Sequence, residues 1–459
     1  MEFTLTGVVH EGEYTSTKYY VNAVFPYQVY IPACCEGKAN CGVIVDCDGL
    51  NGAEAAAVEF LQASGKAPAC VSIGVTAGYL PKGNREGFDR NLRFLTYDMA
   101  TGRYADFVVD ELIPYLTEKY HLNLSGSPDM HLISGGSSGG ICAWNMAWHR
   151  NDYFHRVYAS SPSFLAMGNG EADPFLIRKY EPKPIRVFTD YSENEPDDYF
   201  GSSFVVAQNF ERALWFAGYD FKCDYHHGEG HCSRRCDYEH AVFRMLYLWD
   251  RWQDTPVEVN KLSTRMEKII PIGSKWEKAQ YDFGDHKTVK TALGDYIAKD
   301  NEVVFRSGGA ENVLCDSFEN ISAIALSCDK WRLYIADKKR RCIYAASIAA
   351  DGTFDGVYLF ASLHVPTECV DPGVYDMCVD TEDRIYAATE MGIQCVRSFG
   401  LVDGILLNPE KAPVEAIELL ADGKLYVRSK ESVFSRELQD KQPNLPDVIY
   451  EPRQIGYYD

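Results

Sequence analysis

The run Gly136-Ser137-Ser138-Gly139-Gly140 follows a short apolar segment, His131 to Ser134, and precedes a helix-like apolar run, Ile141 to Arg150. A serine at the centre of a GxSxG pattern on a strand-to-helix turn is where a nucleophile is exposed, because the flanking glycines let strand and helix approach closely. The chemistry is acyl transfer. Centred on Ser138, the frame makes Ser138 the expected nucleophile and sets aside the neighbouring hydroxyls Ser134 and Ser137. The N-terminus of the following helix would aim backbone N–H groups at a developing oxyanion, with Gly139 N–H as first donor.

A serine nucleophile needs a base, and in this chain order histidine and acid should follow it, each after a later strand. His231, in Gly228-Glu229-Gly230-His231, meets that order, with His226 and His227 as rivals closer to the strand. The acid should lie in Asp190-Tyr191-Ser192-Glu193-Asn194-Glu195-Pro196-Asp197-Asp198, which offers five carboxylates among which order alone does not choose. For the second oxyanion donor, the turn Asp46-Cys47-Asp48-Gly49-Leu50 points to Leu50 N–H. Cys223, His226, His227, His231, Cys232 and Cys236 crowd one segment, but the paired CxxC spacing of zinc sites is missing, so neither a metal nor a cofactor is expected.

These residues must be held by strands and helices. From Tyr27 to Trp252 short apolar runs alternate with amphipathic stretches, the pattern of a parallel sheet covered by helices on both faces. Strands are expected at Gly42 to Asp46, Ala69 to Val75, His131 to Ser134, Arg156 to Ser160, Ile185 to Thr189 and Phe221 to His226. Helices are expected at Arg103 to Tyr120, at Ser203 to Ala217 before a Gly218 cap, and at Tyr238 to Trp252. The Tyr-rich alternation before Pro32 predicts added antiparallel strands.

Beyond Trp252 the pattern changes. We expect an α/β-hydrolase domain over 1–255, a linker over 256–284, and a smaller all-β, partial-propeller-like domain over 285–459. Arg332 to Ala336, Arg384 to Ala388 and Lys424 to Arg428 form a weak repeat whose tyrosines lie 52 and 40 residues apart, near the length of a propeller blade. Three or four such units make part of a normal ring.

The chain has 459 residues, more than one compact core usually organises, and its 46% hydrophobic content provides for two. A net charge of −21 argues against a nucleic-acid partner. The start of the chain lacks a secretory pattern, and no apolar stretch approaches a membrane span. Fifteen cysteines without a regular disulfide spacing fit a reducing compartment, so a cytoplasmic location and no membrane partner are expected.

Taken together, residues from Tyr14 to Trp252 resemble the esterase-D-like branch of α/β-hydrolases, which includes the feruloyl and acetylxylan esterases of carbohydrate esterase family one and the enterochelin esterases. The likeness rests on Asp48-Gly49, Arg93, Tyr97-Asp98, GSSGG with Ile141-Cys142-Ala143, Lys183 to Phe188, Ala213-Leu214 through Tyr219, and GEGH. The resemblance implies that the acid is Glu195, a departure from the family's Asp, with Asp197 and Asp190 as alternatives. It also implies a serine hydrolase acting on a small or aromatic, for example hydroxycinnamoyl, ester. A siderophore trilactone esterase, acyl transfer to an alcohol, and a non-catalytic scaffold are the competing readings.

The C-terminal region is similar to the gluconolactonase and senescence-marker-protein family of six-bladed propellers. Its metal-ligand positions fall on Ser322 and Tyr375, so the resemblance implies an accessory domain, a lid or a surface for homodimerisation, and no second lactonase.

Overall fold

The computed structural model describes residues 5–166, 168 and 172–443; residues 444–459 of the expected C-terminal region lie outside these. Contacts divide the chain into two compact units, Met1–Arg178 with Pro182–Val259, and Lys179–Glu181 with Asn260–Asp459.

The first unit is built on a ten-stranded mixed sheet. Its main strands are β1 (Val8–Thr15), β2 (Val24–Ile31), β3 (Gly42–Cys47), β4 (Cys70–Val75), β5 (His131–Gly136), β6 (Arg156–Ser160), β7 (Arg186–Asn194) and β8 (Asp220–Gly230). They run in the order β8-β7-β6-β5-β3-β4-β2, with β1 beside β2 and two short strands, Tyr79–Leu80 and Arg90–Asn91, at the far edge. β3 to β8 are mutually parallel where they pair, whereas β1 and β2 add antiparallel strands, as the Tyr-rich alternation predicts.

β3 and β4 grow the sheet one way and β5 onward the other, so the order reverses between β3 and β5. A crevice opens outside the carboxyl ends of the strands at such a switch point, and this is where α/β sheets place their ligands. The turn after β3 and the turn after β5 flank it.

Four helices matter for positioning: α1 (Gly52–Ala63), α2 (Ser138–His149), α3 (Ser203–Ala217) and α4 (Tyr238–Leu248). α2 is apolar all round and almost wholly buried, with Ile141, Ala143, Trp144 and Ala147 at 1% exposure or less, as expected of a helix inside a core. It approaches the sheet closely enough that a Cβ on Gly135 would lie 2.0 Å from the Gly139 carbonyl oxygen. α3 ends on Gly218 in the left-handed conformation (φ 87°).

The expected single helix from Arg103 to Tyr120 is interrupted by a π turn at Val108–Leu112, where Ile113 N–H reaches Val108 O. Pro114 follows at once and has no N–H to donate, so the wider turn absorbs the mismatch. Among the described residues no helix is long and apolar enough to cross a membrane.

In the second unit, four antiparallel four-stranded sheets form a propeller-like ring. Arg332–Asp337, Ile385–Thr389 and Lys424–Ser429, which carry the weak repeat, are inner strands of three different sheets. The repeat has a packing reason: Tyr334 Oη donates to Asp383 and Tyr386 Oη to Asp380, at 2.8 and 3.0 Å, so each buried phenol is satisfied. Among the described residues the sheets number four, within the three or four units expected. One expectation changes. The stretch read as a linker supplies Glu277–Ala279, which pairs antiparallel with Ser432–Glu437 and completes the last sheet.

Candidate active site

The turn from β5 to α2 stores backbone strain, and the strain sits one residue earlier than the sequence reading placed the nucleophile. Ser137 has φ 57° and ψ −125°, a region that residues with a Cβ rarely enter, while Ser138 is the first residue of α2. A second frame explains this. Gly135-Gly136-Ser137-Ser138-Gly139 is also GxSxG, and its centre is Ser137. Overlapping glycines made both frames legible, and only the backbone distinguishes them.

The two hydroxyls have different surroundings. Ser137 is half-buried, its N–H donates to Ser160 O at 2.9 Å, and its Oγ lies 3.0 Å from Ser163 Oγ. Ser138 is buried, beside the Asp98 carboxylate. Burial raises the Asp98 pKa, against the neighbouring Ser138 hydroxyl and the Arg93 charge. Ser134 is committed to structure too, donating to Glu54 at 3.0 Å.

With the turn centred on Ser137, the first amide that follows it, at the start of α2, is Ser138 N–H, in place of Gly139. Leu50, the expected second donor, is otherwise engaged. Its N–H donates to Gln28 Oε1 at 3.1 Å, and its nitrogen lies so near β4 that a Cβ on Gly74 would stand 2.1 Å from it.

His231 immediately follows β8, which runs to Gly230, and its Nδ1 is 2.5 Å from Glu195 Oε2. Glu195 is nearly inaccessible, with its side chain 1% exposed, while the imidazole is 28% exposed. The other carboxylate oxygen accepts from Ser161 Oγ at 2.6 Å and Ser192 N–H at 2.9 Å. Burial opposes the Glu195 charge, but His231, Ser161 and Ser192 outweigh it and hold the carboxyl below its ordinary pKa. The His231 pKa is pushed up to about 10, first by the adjacent Cys232 side chain and then by Glu195, against burial.

The rival acids are elsewhere. β7 continues through Asn194, so Asp190 is a buried strand residue accepting from Tyr158 Oη and Ser160 Oγ, both at 2.7 Å. Asp197 is exposed in a two-residue strand paired with Gly201–Ser202. Of the rival bases, His226 is buried beside Asp190, and His227 is exposed against the Tyr225 ring.

The strand ends are tied to one another. Cys232 N–H donates to Ser161 Oγ at 3.1 Å, and Ser161 Oγ in turn donates to Glu195, so the His231–Glu195 pair hangs on the end of β6. Ser137 N–H is bonded to that same strand end, at Ser160. Among the described residues neither Ser137 nor Ser138 hydroxyl is hydrogen-bonded to His231. Catalytic contacts commonly tighten only with substrate in place.

Beneath the elbow lies a buried ionic group. Arg244 Nη2 donates to Glu54 Oε1 at 2.8 Å, with side chains 2% and 0% exposed. Arg235 Nη2 donates to Cys47 O at 2.8 Å, fastening the His231 segment to the end of β3. Burial and the neighbouring Glu54 push the Asp46 carboxyl well above its usual range. On the other side of the β3 turn, Arg93 clamps both oxygens of Asp48, and Tyr97 Oη accepts from Asp48 N–H at 2.9 Å. Asp48, Arg93 and Tyr97, quoted separately for the resemblance, are thus one cluster.

Residues 20–231 match the family model described as "Putative esterase", a span running from just before β2 to His231. Three solved structures are similar. A ferulic acid esterase shares 19% identity over 54% of this chain and 100% of its own, with a TM-score of 0.37. The ferric enterobactin esterase from Salmonella typhimurium shares 13% over 54% of this chain and 59% of its own, at 0.39, so the present chain spans 59% of that protein's length. A siderophore hydrolase from Aspergillus nidulans shares 17% over 55% and 97%, at 0.39. No curated protein matches the chain. The matched span lies within the first unit, whose mixed sheet and covering helices make it an α/β fold.

Proposed function

We propose that the protein, a carboxylic ester hydrolase, works through an acyl-enzyme on Ser137, with His231 as general base and acid and Glu195 as its orienting partner. What carries this reading is the strained Ser137 elbow at the switch point of the sheet, bonded to the same strand end that supports the His231–Glu195 pair.

Ser137 Oγ turns from Ser163 toward His231 Nε2, gives up its proton, and attacks the ester carbonyl carbon. Charge gathers on the carbonyl oxygen, where Ser138 N–H and the N-terminus of α2 stabilise it. The imidazolium returns its proton to the departing alcohol. A water then repeats the sequence on the acyl-enzyme and releases the acid and Ser137. Glu195 accepts from His231 Nδ1–H throughout, which leaves Nε2 free to carry the proton.

The substrate we assign is a neutral small or aromatic ester of the hydroxycinnamoyl kind. A cleft of about 530 Å³ beside Asp48 and Gly49 is lined by Glu11, Glu13 and Tyr27, and the chain carries −21 overall. Acidic walls repel a polyanionic ferric siderophore and tolerate an uncharged ester with an aromatic acyl group.

The test is a hydrolysis panel of acetyl, butyryl, feruloyl and trilactone esters, run beside fluorophosphonate labelling of wild type and Ser137→Ala. The expected result is labelling lost in Ser137→Ala and a preference for feruloyl over trilactone. A well-folded wild type that neither labels nor hydrolyses any ester would refute the mechanism, and a trilactone preference would refute the substrate class.

A further inference from the structure

Away from the Ser137 turn, three metal-ligating side chains meet between β8 and α4. Asp224 and His226 are alternate residues of β8, and His240 is in the first turn of α4, where its N–H donates to the capping Asp237 at 3.0 Å. One ligand atom from each lies within 4.8 Å of the other two. Asp224 Oδ2 is 3.6 Å from His240 Nδ1, and the two imidazoles stand edge to face with centroids 5.2 Å apart.

His226 is the member that ordinary packing leaves unexplained. Its side chain is 7% exposed, and its Nε2 has no hydrogen-bond partner. The nearest carboxylate oxygen, Asp190 Oδ2, is 3.8 Å away, beyond hydrogen-bond reach, and already accepts from Tyr158. A buried ring nitrogen in that position costs stability unless something meets it.

We propose that Asp224, His226 and His240 bind a divalent transition ion of the zinc class. Two imidazoles and one carboxylate suit such an ion and select against magnesium and calcium, which take oxygen ligands. Ligand atoms around a tetrahedral zinc stand about 3.4 Å apart, given bond lengths of about 2.0–2.1 Å. Asp224 Oδ2 and His240 Nδ1 already stand near that value, at 3.6 Å. Asp224 and His240 are each about one-third exposed, which gives the ion an entry path and leaves its fourth position to water. Asp190, beside His226, adds negative potential without joining the ligand set. The ion would join the two ends of the segment that carries His231, since that segment runs from β8 to α4.

The site's test does not depend on the esterase reading, because binding is read directly. Full-length protein is stripped with a chelator and titrated with Zn²⁺ and Co²⁺ by calorimetry and melting, with Mg²⁺ as control. Wild type is expected to bind one equivalent with a raised Tm. His240→Ala and Asp224→Asn, partly exposed positions whose metal-free melting should match wild type, are expected to bind at least tenfold more weakly; His240→Gln replaces His240→Ala if the latter folds poorly. The proposal is overturned by absence of saturable binding, by unchanged affinity in the variants, or by a cobalt spectrum with thiolate charge transfer. That last result would place the ion on some of the chain's fifteen cysteines.

Discussion

Replacing Ser137 and Ser138 in turn by alanine and by glycine separates the two serines twice over, once by activity and once by the sign of a stability difference. At φ 57°, ψ −125°, Ser137 holds a conformation that costs a residue with a Cβ about 1–3 kcal/mol. Ser137→Ala keeps that strain, whereas Ser137→Gly relieves it and gives back about 0.4–1 kcal/mol in unfolded-chain entropy. The glycine variant is therefore expected to be the more stable of the two by about 1 kcal/mol, or about 2–4 °C in Tm for a domain of this size. At Ser138, inside α2, the sign reverses, and glycine is expected to be about 0.5–1 kcal/mol less stable than alanine. Hydrolysis of a chromogenic ester should fall by about 10⁶ in both Ser137 variants and stay within about tenfold of wild type in Ser138→Ala. The reasoning fails if Ser138→Ala abolishes activity while Ser137→Ala retains it, or if Ser137→Gly melts below Ser137→Ala.

Further outcomes follow from the geometry. His231 must be neutral to accept a proton, and its pKa stands at about 10, so kcat/KM is expected to climb with pH toward that value. Cys232→Ala should shift the pH–rate profile to lower pH, because the largest contribution to the shift is removed. The same raised pKa stabilises the fold fully below about 6.5, the unfolded value, and the contribution is lost as pH rises through about 10; melting against pH checks the sign. Glu195→Gln should lower kcat by about 10⁴ by spoiling the imidazole tautomer, with Asp197→Asn near wild type in the same assay. Arg244→Met leaves the fully buried Glu54 charge unpaired and is expected to cost about 3–5 kcal/mol in denaturant unfolding, much of it recovered in Arg244→Met/Glu54→Gln.

Local pattern alone determined a good deal. Alternation of apolar runs with amphipathic stretches encodes the parallel sheet, because period and burial are properties of short segments. Gly218 marks the end of α3 for the same local reason. Chain order and loop position favoured His231 over His226 and His227, and family position pointed to Glu195 among five carboxylates. Tertiary structure decided what depends on distance and dihedral angle. It put the positive φ on Ser137, the centre of one of the two overlapping GxSxG frames. It buried Asp190 by extending β7, which left Glu195 as the loop carboxylate in contact with His231. It gave Leu50 N–H to Gln28, a residue on a different strand, which no turn motif could foresee. It also closed four β-sheets into a ring with a strand from a stretch that reads as linker. A motif states which side chains are available, whereas the hydrogen bonds made by residues far apart in sequence determine which of them face the same space.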